Sequence, residues 1–398
     1  MTIREPISHI SEKKLLQSVF FLFGFGIMAW VPRFPEVKAN LHLSNGTFGS
    51  IITTGSIGAF FGLLTIGHIV HKVGVLKVSF VNVLTLFGAF EVIVHVRTPL
   101  YFAFCNILIG FSITALHVAL NTQAFHVQER SGEIVVTRSA GYWSAGALVT
   151  AILSGFFVGH IGLAMHIDGV SLFCAISMIW ILLKLKPVLV KANSMPENDY
   201  TIKDIFTQFH LDWPVSLGLA SAIYMEFAIG DWGTIFTKER LEINAGLSSL
   251  PYIFFTLFII FGRLSVQKIL HKYKIDQVAR FSTLVAGLTF AFSIAIAVNL
   301  PLNLKWYSYA LFIFGFSIAG LGSAVLGPSF SSAANRRSPH PSSVVVGQLG
   351  VLNNVLTTSF KWIVAGVIAA TGSIAVALMI PAALMIIASA FTHVMKED

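Results

Sequence analysis

KPVLVKANSMPENDYTIKDIFTQFHLD, residues 186–212, is the longest polar stretch of this chain. On both sides the sequence is almost wholly apolar, in runs that each match the roughly 20 residues needed to cross a bilayer as a helix. Six runs precede the stretch, near 15–32, 46–70, 75–95, 99–123, 139–159 and 164–185. Six follow it, near 213–236, 246–267, 277–298, 306–329, 343–368 and 372–394. Residues 186–212 therefore read as a linker between an N-terminal bundle (1–185) and a C-terminal bundle (213–398), with a short amphipathic helix expected over 201–209. The fold class expected is an all-α membrane protein of twelve transmembrane helices in two six-helix bundles.

Composition supports this. Only 11% of residues are charged, 55% are hydrophobic and the mean hydropathy is +0.80, values that few water-soluble domains sustain. The spans leave no room for a soluble catalytic domain. The net charge of +8 does not form a patch for nucleic acid; it follows topology. Nineteen Lys and Arg fall in the connections on the side of the N-terminus, six in the opposite loops, and Lys361 inside a span. That bias puts both termini in the cytoplasm of a multi-pass inner-membrane protein. Cys105 and Cys174 lie in apolar runs and read as buried thiols. The first run follows a polar segment without a small-residue cleavage site, and reads as a retained span. Gly58 and Gly62 form a small-xxx-small pair for close helix packing.

The halves begin alike. Gly24-Phe25-Gly26-Ile27-Met28-Ala29-Trp30 is matched by Glu226-Phe227-Ala228-Ile229-Gly230-Asp231-Trp232. The connection after each second span opens on a Gly and basic residues: Gly67, His71, Lys72 and Gly74 in one half, Gly262, Arg263, Lys268 and Lys272 in the other. Residues 67–77 resemble the loop motif of the major facilitator superfamily, with His71 at its acidic position and Lys72 at its arginine. Trp30-Val31-Pro32-Arg33, Pro35, Asn121 with Gln123, Glu129-Arg130, Trp143-Ser144 with Gly146, and Glu226 with Asp231-Trp232 resemble the YbjJ-like bacterial facilitators over nearly the full length. The resemblance implies the facilitator fold, a gating role for Gly67, His71, Lys72 and Gly74, and a central cavity bordered by spans seven and eleven. It also makes span three peripheral, so that Glu91 and His95 read as an interface pair.

Ionisable residues at membrane depth are functional candidates. Glu226 lies about 20 Å into span seven at the usual helical rise; with His117 and Asp231 it is a candidate for proton coupling. Asn354, Thr358 and Lys361 share one face of span eleven, and a Glu226–Lys361 pair that breaks on substrate binding is expected. Asn106, Gly110, Thr114, His117 and Asn121 make a polar stripe on span four, facing a cavity or another polar helix. Tyr142, Trp143 and Tyr224 complete the candidate substrate path; Trp30 and Trp232 offer further rings or interface anchors. Arg33 and Asp231 are expected to close the outer side as a gate pair.

A phosphate-binding Gly-x-x-x-x-Gly-Lys-Ser/Thr loop, a metal-spaced His/Cys/Asp cluster and a nucleophile elbow are all absent, so neither enzyme chemistry, cofactor nor metal is expected. The function expected is secondary active transport of a small polar solute by alternating access, coupled to protons, by a monomer in the lipid bilayer. A sugar- or nucleoside-like solute taken up fits the amides, hydroxyls and lysine of the path. Proton-driven efflux of drugs or metabolites, or a transport-inactive sensor, are the alternatives.

Overall fold

The structure is a computed structural model, and it describes residues 9–133, 135–192, 212–270, 272–338 and 342–396. The amphipathic segment expected over 201–209 lies outside these.

Helices account for nearly all of it: α1 (His9–Met28), α2 (Phe34–Asn40), α3 (Asn45–Thr53), α4 (Gly55–Val73), α5 (Val75–His95), α6 (Pro99–Ser131), α7 (Val136–Phe157) and α8 (Leu163–Leu185). After the linker come α9 (Trp213–Leu241), α10 (Ala245–Ser248), α11 (Leu250–Leu270), α12 (Ile275–Asn299), α13 (Lys305–Ser323), α14 (Leu326–Arg337), α15 (Ser342–Thr371) and α16 (Ile374–Ala388). Three-residue 3-10 turns follow α1 and precede α13, and a longer 3-10 segment, Ser389–Met395, follows α16. In hydrocarbon every backbone polar group must be satisfied within its own segment, which leaves helices as the solution for apolar runs of this length. Eleven segments among the described residues are long and apolar enough to cross a membrane. The seventh span of the sequence reading, α9, is 29 residues long and is not among these eleven, because it carries Glu226 and Asp231 within its length.

Two of the interrupted spans break near their middle. The second breaks at Thr54, between α3 and α4, and the tenth at Ala324–Val325, between α13 and α14. At the first break the Thr54 side chain is tied to α6, and at the second a side chain covers a backbone carbonyl. Thr54 Oγ1 donates to Ala103 O at 3.3 Å and accepts from Asn106 Nδ2 at 3.3 Å; Arg263 Nε donates to the Ala324 carbonyl at 3.3 Å. A freed backbone group at membrane depth needs such a partner.

The chain forms two compact units. One comprises Met1–Trp30, Thr54–Leu153 and Gly162–Thr201; the other comprises Val31–Thr53, Ser154–Ile161 and Ile202–Asp398. In the first, α4 and α5 pack on α6, and α5 and α1 on α8. In the second, α13 packs on α12 and α11, α16 on α12 and α9, and α3 on α15. Glycines set the closest approaches. A Cβ on Gly110 (α6) would lie 1.9 Å from Gly55 O, and one on Gly58 (α4) 1.9 Å from Ile107 O, so α4 and α6 meet backbone to backbone. Gly320 (α13) sits against Phe255 O of α11 in the same way. Cys105 and Cys174 are free and buried.

Candidate functional site

An ion pair inside the apolar helices joins α9 to α15. Lys361 Nζ lies 2.7 Å from Asp231 Oδ2, with the side chains 14% and 18% exposed. The ammonium also stands 5.2 Å from the centroid of the Phe227 ring, within cation–π range. Thr358, three residues before Lys361 and on its face, keeps a buried Oγ1 without a hydrogen-bond partner among the described residues, as does the Asn353 Oδ1. Asn354 is half-buried. Tyr224 is buried, its ring edge-on to Phe360 at 5.4 Å.

The expected Glu226–Lys361 pair is therefore corrected. Five residues separate Glu226 from Asp231, which is a rotation of about 140° and a rise of about 7.5 Å on a helix. Glu226 consequently faces α11, where Arg263 Nη2 lies 3.7 Å from its Oε1. This contact is loose, and both side chains keep about a third or more of their surface exposed.

In the other unit, His117 (α6) packs its ring edge-on to Phe23 of α1 at 4.8 Å and at a tilt to Trp143 of α7 at 5.9 Å. The Trp143 Nε1 is buried without a partner among the described residues, and the adjacent Tyr142 is 47% exposed. The α1–α7 crossing that brings these rings together rests on Gly24, where a Cβ would sit 2.1 Å from Trp143 O, and on Gly146, where one would sit 2.0 Å from Phe21 O. The polar stripe on α6 divides. Asn106 is buried against Gly55 and Thr54, and the half-buried Gly110 and Thr114 pack on Gly55 and Gly62, so its first half forms a seam with α4. His117 and Asn121 remain half-buried beyond that seam.

Arg33 does not meet Asp231. It follows α1 in a tight 3-10 turn, where its side chain is 0% exposed: Nε lies 2.6 Å from Glu36 Oε2 and Nη2 donates to Ile161 O at 2.7 Å. Nearby, Lys38 (α2) donates to Asn45 Oδ1 at 2.5 Å and pairs with Glu239 of α9, while Asn45 Nδ2 donates to Glu239 Oε2 at 2.8 Å. Gly46 and Gly49 of α3 admit Ala369 of α15 and the ring of Trp232, respectively. The sequence offered Arg33 as a gate residue, but with Asp231 as its partner; Glu36, Lys38, Asn45 and Glu239 were not singled out. Their signal was position alone, since all lie near helix ends that the basic-residue bias assigns to the outside.

At the opposite helix ends, Gly74 closes α4 at φ +85°, and Val75 N donates to Val190 O at 3.1 Å. Gln123 fixes the same segment of chain, donating to Val188 O at 3.1 Å and accepting from Val190 N at 2.8 Å. It also reaches Glu12, which is buried and paired with Arg130. Of the other loop candidates, Gly67 has open space around it, Lys72 is exposed and His71 half-buried. Glu91 and His95 do not pair: His95 Nε2 lies 2.9 Å from Asp168 at the start of α8.

A sequence profile described as Major Facilitator Superfamily matches residues 17–359. The chain belongs to the major facilitator superfamily. It is thus a multi-pass membrane protein of a family of secondary transporters, which carry small-molecule solutes, and not of an enzyme family. An uncharacterised MFS-type transporter of Yersinia pestis is 23% identical over 94% of this chain and 95% of its own length. Membrane protein MosC of Rhizobium meliloti is 25% identical over 79% of this chain and 74% of its own. Among solved structures, the nucleoside transporter NupG superposes with a TM-score of 0.74 at 14% identity, over 97% of this chain and all of that one. The inward-open xylose transporter XylE from E. coli gives 0.69 at 14%, over 97% and 96%. At such identities the likeness to the solved structures is one of facilitator fold.

Proposed function

We propose that this facilitator takes up a small polar solute across the cytoplasmic membrane by alternating access of its two six-span halves, 1–185 and 213–398, driven by protons. The observation that carries the reading is the Asp231–Lys361 contact, an acid and an amine held at 2.7 Å inside two spans. A pair at membrane depth is expensive to keep and is used where it breaks and re-forms. Protonation of Asp231 releases Lys361, and return of the proton restores the pair, so two charge states of one site accompany two states of the carrier. Glu226 is a second candidate proton acceptor, and His117 with Trp143, Tyr142 and Asn121 supplies ring faces and hydrogen-bonding groups for the solute. In this reading Arg33, with Glu36, and the group of Lys38, Asn45 and Glu239 serve the outer gate, and the chain works as a monomer.

The test starts from purified protein ranked by thermal shift against sugars, nucleosides, organic acids and drugs. The best stabiliser is then followed in liposomes under an imposed pH gradient. Uptake that follows the gradient, and loses that dependence in Asp231→Asn, supports the reading. Binding without flux under any gradient refutes transport and leaves a sensor.

A further inference from the structure

We propose that the solute bears a carboxylate, which replaces Asp231 as the counterion of Lys361 when Asp231 is protonated. The inference rests on the transport reading above and deepens it.

The Lys361 ammonium is largely buried, and its only ionic partner among the described residues is Asp231. The elements packed against α9 and α15 bring other charges, but these are engaged. Glu226 faces Arg263, Glu36 faces Arg33, Glu239 faces Lys38, and Asp212, at the start of α9, faces Arg337 at 2.5 Å. Tyr224 is buried on α9, and His393 of the terminal 3-10 segment is engaged with Ala390 O. Of the described acids on α9 and the elements packed against it, only Glu242 has no basic partner, and it caps the far end of α9, eleven residues or about 16 Å beyond Asp231, so none stands ready beside Lys361 when Asp231 accepts a proton. An uncompensated ammonium in an apolar interior is strongly unfavourable, so the proton is held only if an anion arrives with it.

A neutral polyol cannot meet that demand; a carboxylate can. One of its oxygens takes the place of Asp231 Oδ2, and the buried, unpartnered Oγ1 of Thr358, on the face of Lys361, is a donor for the other. The charges balance. The empty site holds Asp⁻ and Lys⁺, and the loaded site holds neutral Asp, Lys⁺ and R–COO⁻. Both sum to zero, whereas the site with only a proton or only an anion bound carries a net charge in the bilayer. One proton and one monoanion then move together, without net charge transfer.

Formate, the smallest carboxylate, tests the site without knowledge of the solute. In Asp231→Asn, Lys361 lacks its counterion permanently. Sodium formate is expected to raise the melting temperature of this variant saturably, by about 3 °C or more over sodium chloride at equal ionic strength. The gain should vanish in Asp231→Asn/Lys361→Met. Asp231→Ala provides the second measurement, should Asp231→Asn fail to fold: formate should stabilise it saturably as well, again over sodium chloride at equal ionic strength. Equal effects of formate and chloride on whichever of these variants folds overturn the inference. Proton-driven flux of a neutral solute together with formate indifference overturns it while leaving the transport reading intact. Formate stabilisation without flux of any solute does the reverse.

Discussion

Gly110→Ala tests whether α4 and α6 are held by backbone contact. A Cβ on Gly110 would sit 1.9 Å from Gly55 O, against an ordinary contact of 3.4 Å or more, so the helices must part by about 1.5 Å. The obstacle is backbone, which cannot swing aside as a flexible side chain would. Parting by that much loosens the whole seam, including Gly58 on Ile107 O and Gly62 on Thr114. A gap of only about 0.5–1 Å already forfeits about a quarter to a half of each dispersion contact. It also stretches the two bonds that tie Thr54 to α6, both at 3.3 Å and worth about 1 kcal/mol each. Against this, alanine is the better helix former by about 1 kcal/mol. The net loss is about 3 kcal/mol, a fall in melting temperature of about 5–10 °C for the detergent-purified protein. Gly88→Ala in α5 and Gly169→Ala in α8 are the controls, because a Cβ at either meets nothing within 4 Å; they should melt at or above wild type. A Gly110→Ala protein that melts within about 1 °C of wild type refutes the seam.

Arg33→Met should destabilise by about 1–3 kcal/mol, because it leaves the half-buried Glu36 and the Ile161 carbonyl without their partner; Arg33→Met/Glu36→Gln should recover much of that in the same melts. Lys38→Glu and Glu239→Lys should each lower stability and the double reversal should restore it, with a coupling of about 0.5–1 kcal/mol since Glu239 is well exposed; additive effects refute a direct pair. The hydrogen bond and charge of Lys13 hold the Glu133 carboxyl below its ordinary value of 4.5. Its stabilising contribution is therefore complete above that value and lost as pH falls through the lower folded value. The melting difference between wild type and Glu133→Gln should be present at about pH 7 and shrink to nothing at the acid end; a difference that persists there refutes the linkage.

The spans were legible because hydrocarbon imposes a length and an apolarity that little else requires. Partners were not. Glu226 and Asp231 are both carboxylates in one span, and which of them meets Lys361 depends on how α9 is rotated about its axis. A helix that is apolar nearly all round does not encode that rotation; neighbours on α11 and α15 set it. The stripe on α6 was ambiguous for a related reason. Asn106, Gly110 and Thr114 are small or polar, which suits a wall of a cavity and equally a close helix seam. Only the glycines facing them from α4, Gly55 and Gly62, decide for the seam. The breaks at Thr54 and Ala324 escaped reading because their partners, Asn106 and Arg263, lie 52 and 61 residues away in sequence.

The internal repeat runs deeper than the matched Trp and Gly positions. In the first half, Glu12 at the start of the first span is tied to Arg130 at the end of the fourth. In the second, Asp212 at the start of the seventh is tied to Arg337 at the end of the tenth. Asp212 also caps α9, accepting from Val215 N at 3.4 Å, and so ties a helix start to a helix end by one carboxylate. The residue type and the local spacing differ between halves, which hides the correspondence from a comparison of sequences. The mechanical task is the same in both: hold the first and fourth spans of a half together at one end, where an acid near a helix start and a base near a helix end also complement the helix dipoles. With each half braced in this way by its own pair, Asp231–Lys361 is left as a contact between spans seven and eleven, whose charges can exchange partners without loosening either brace.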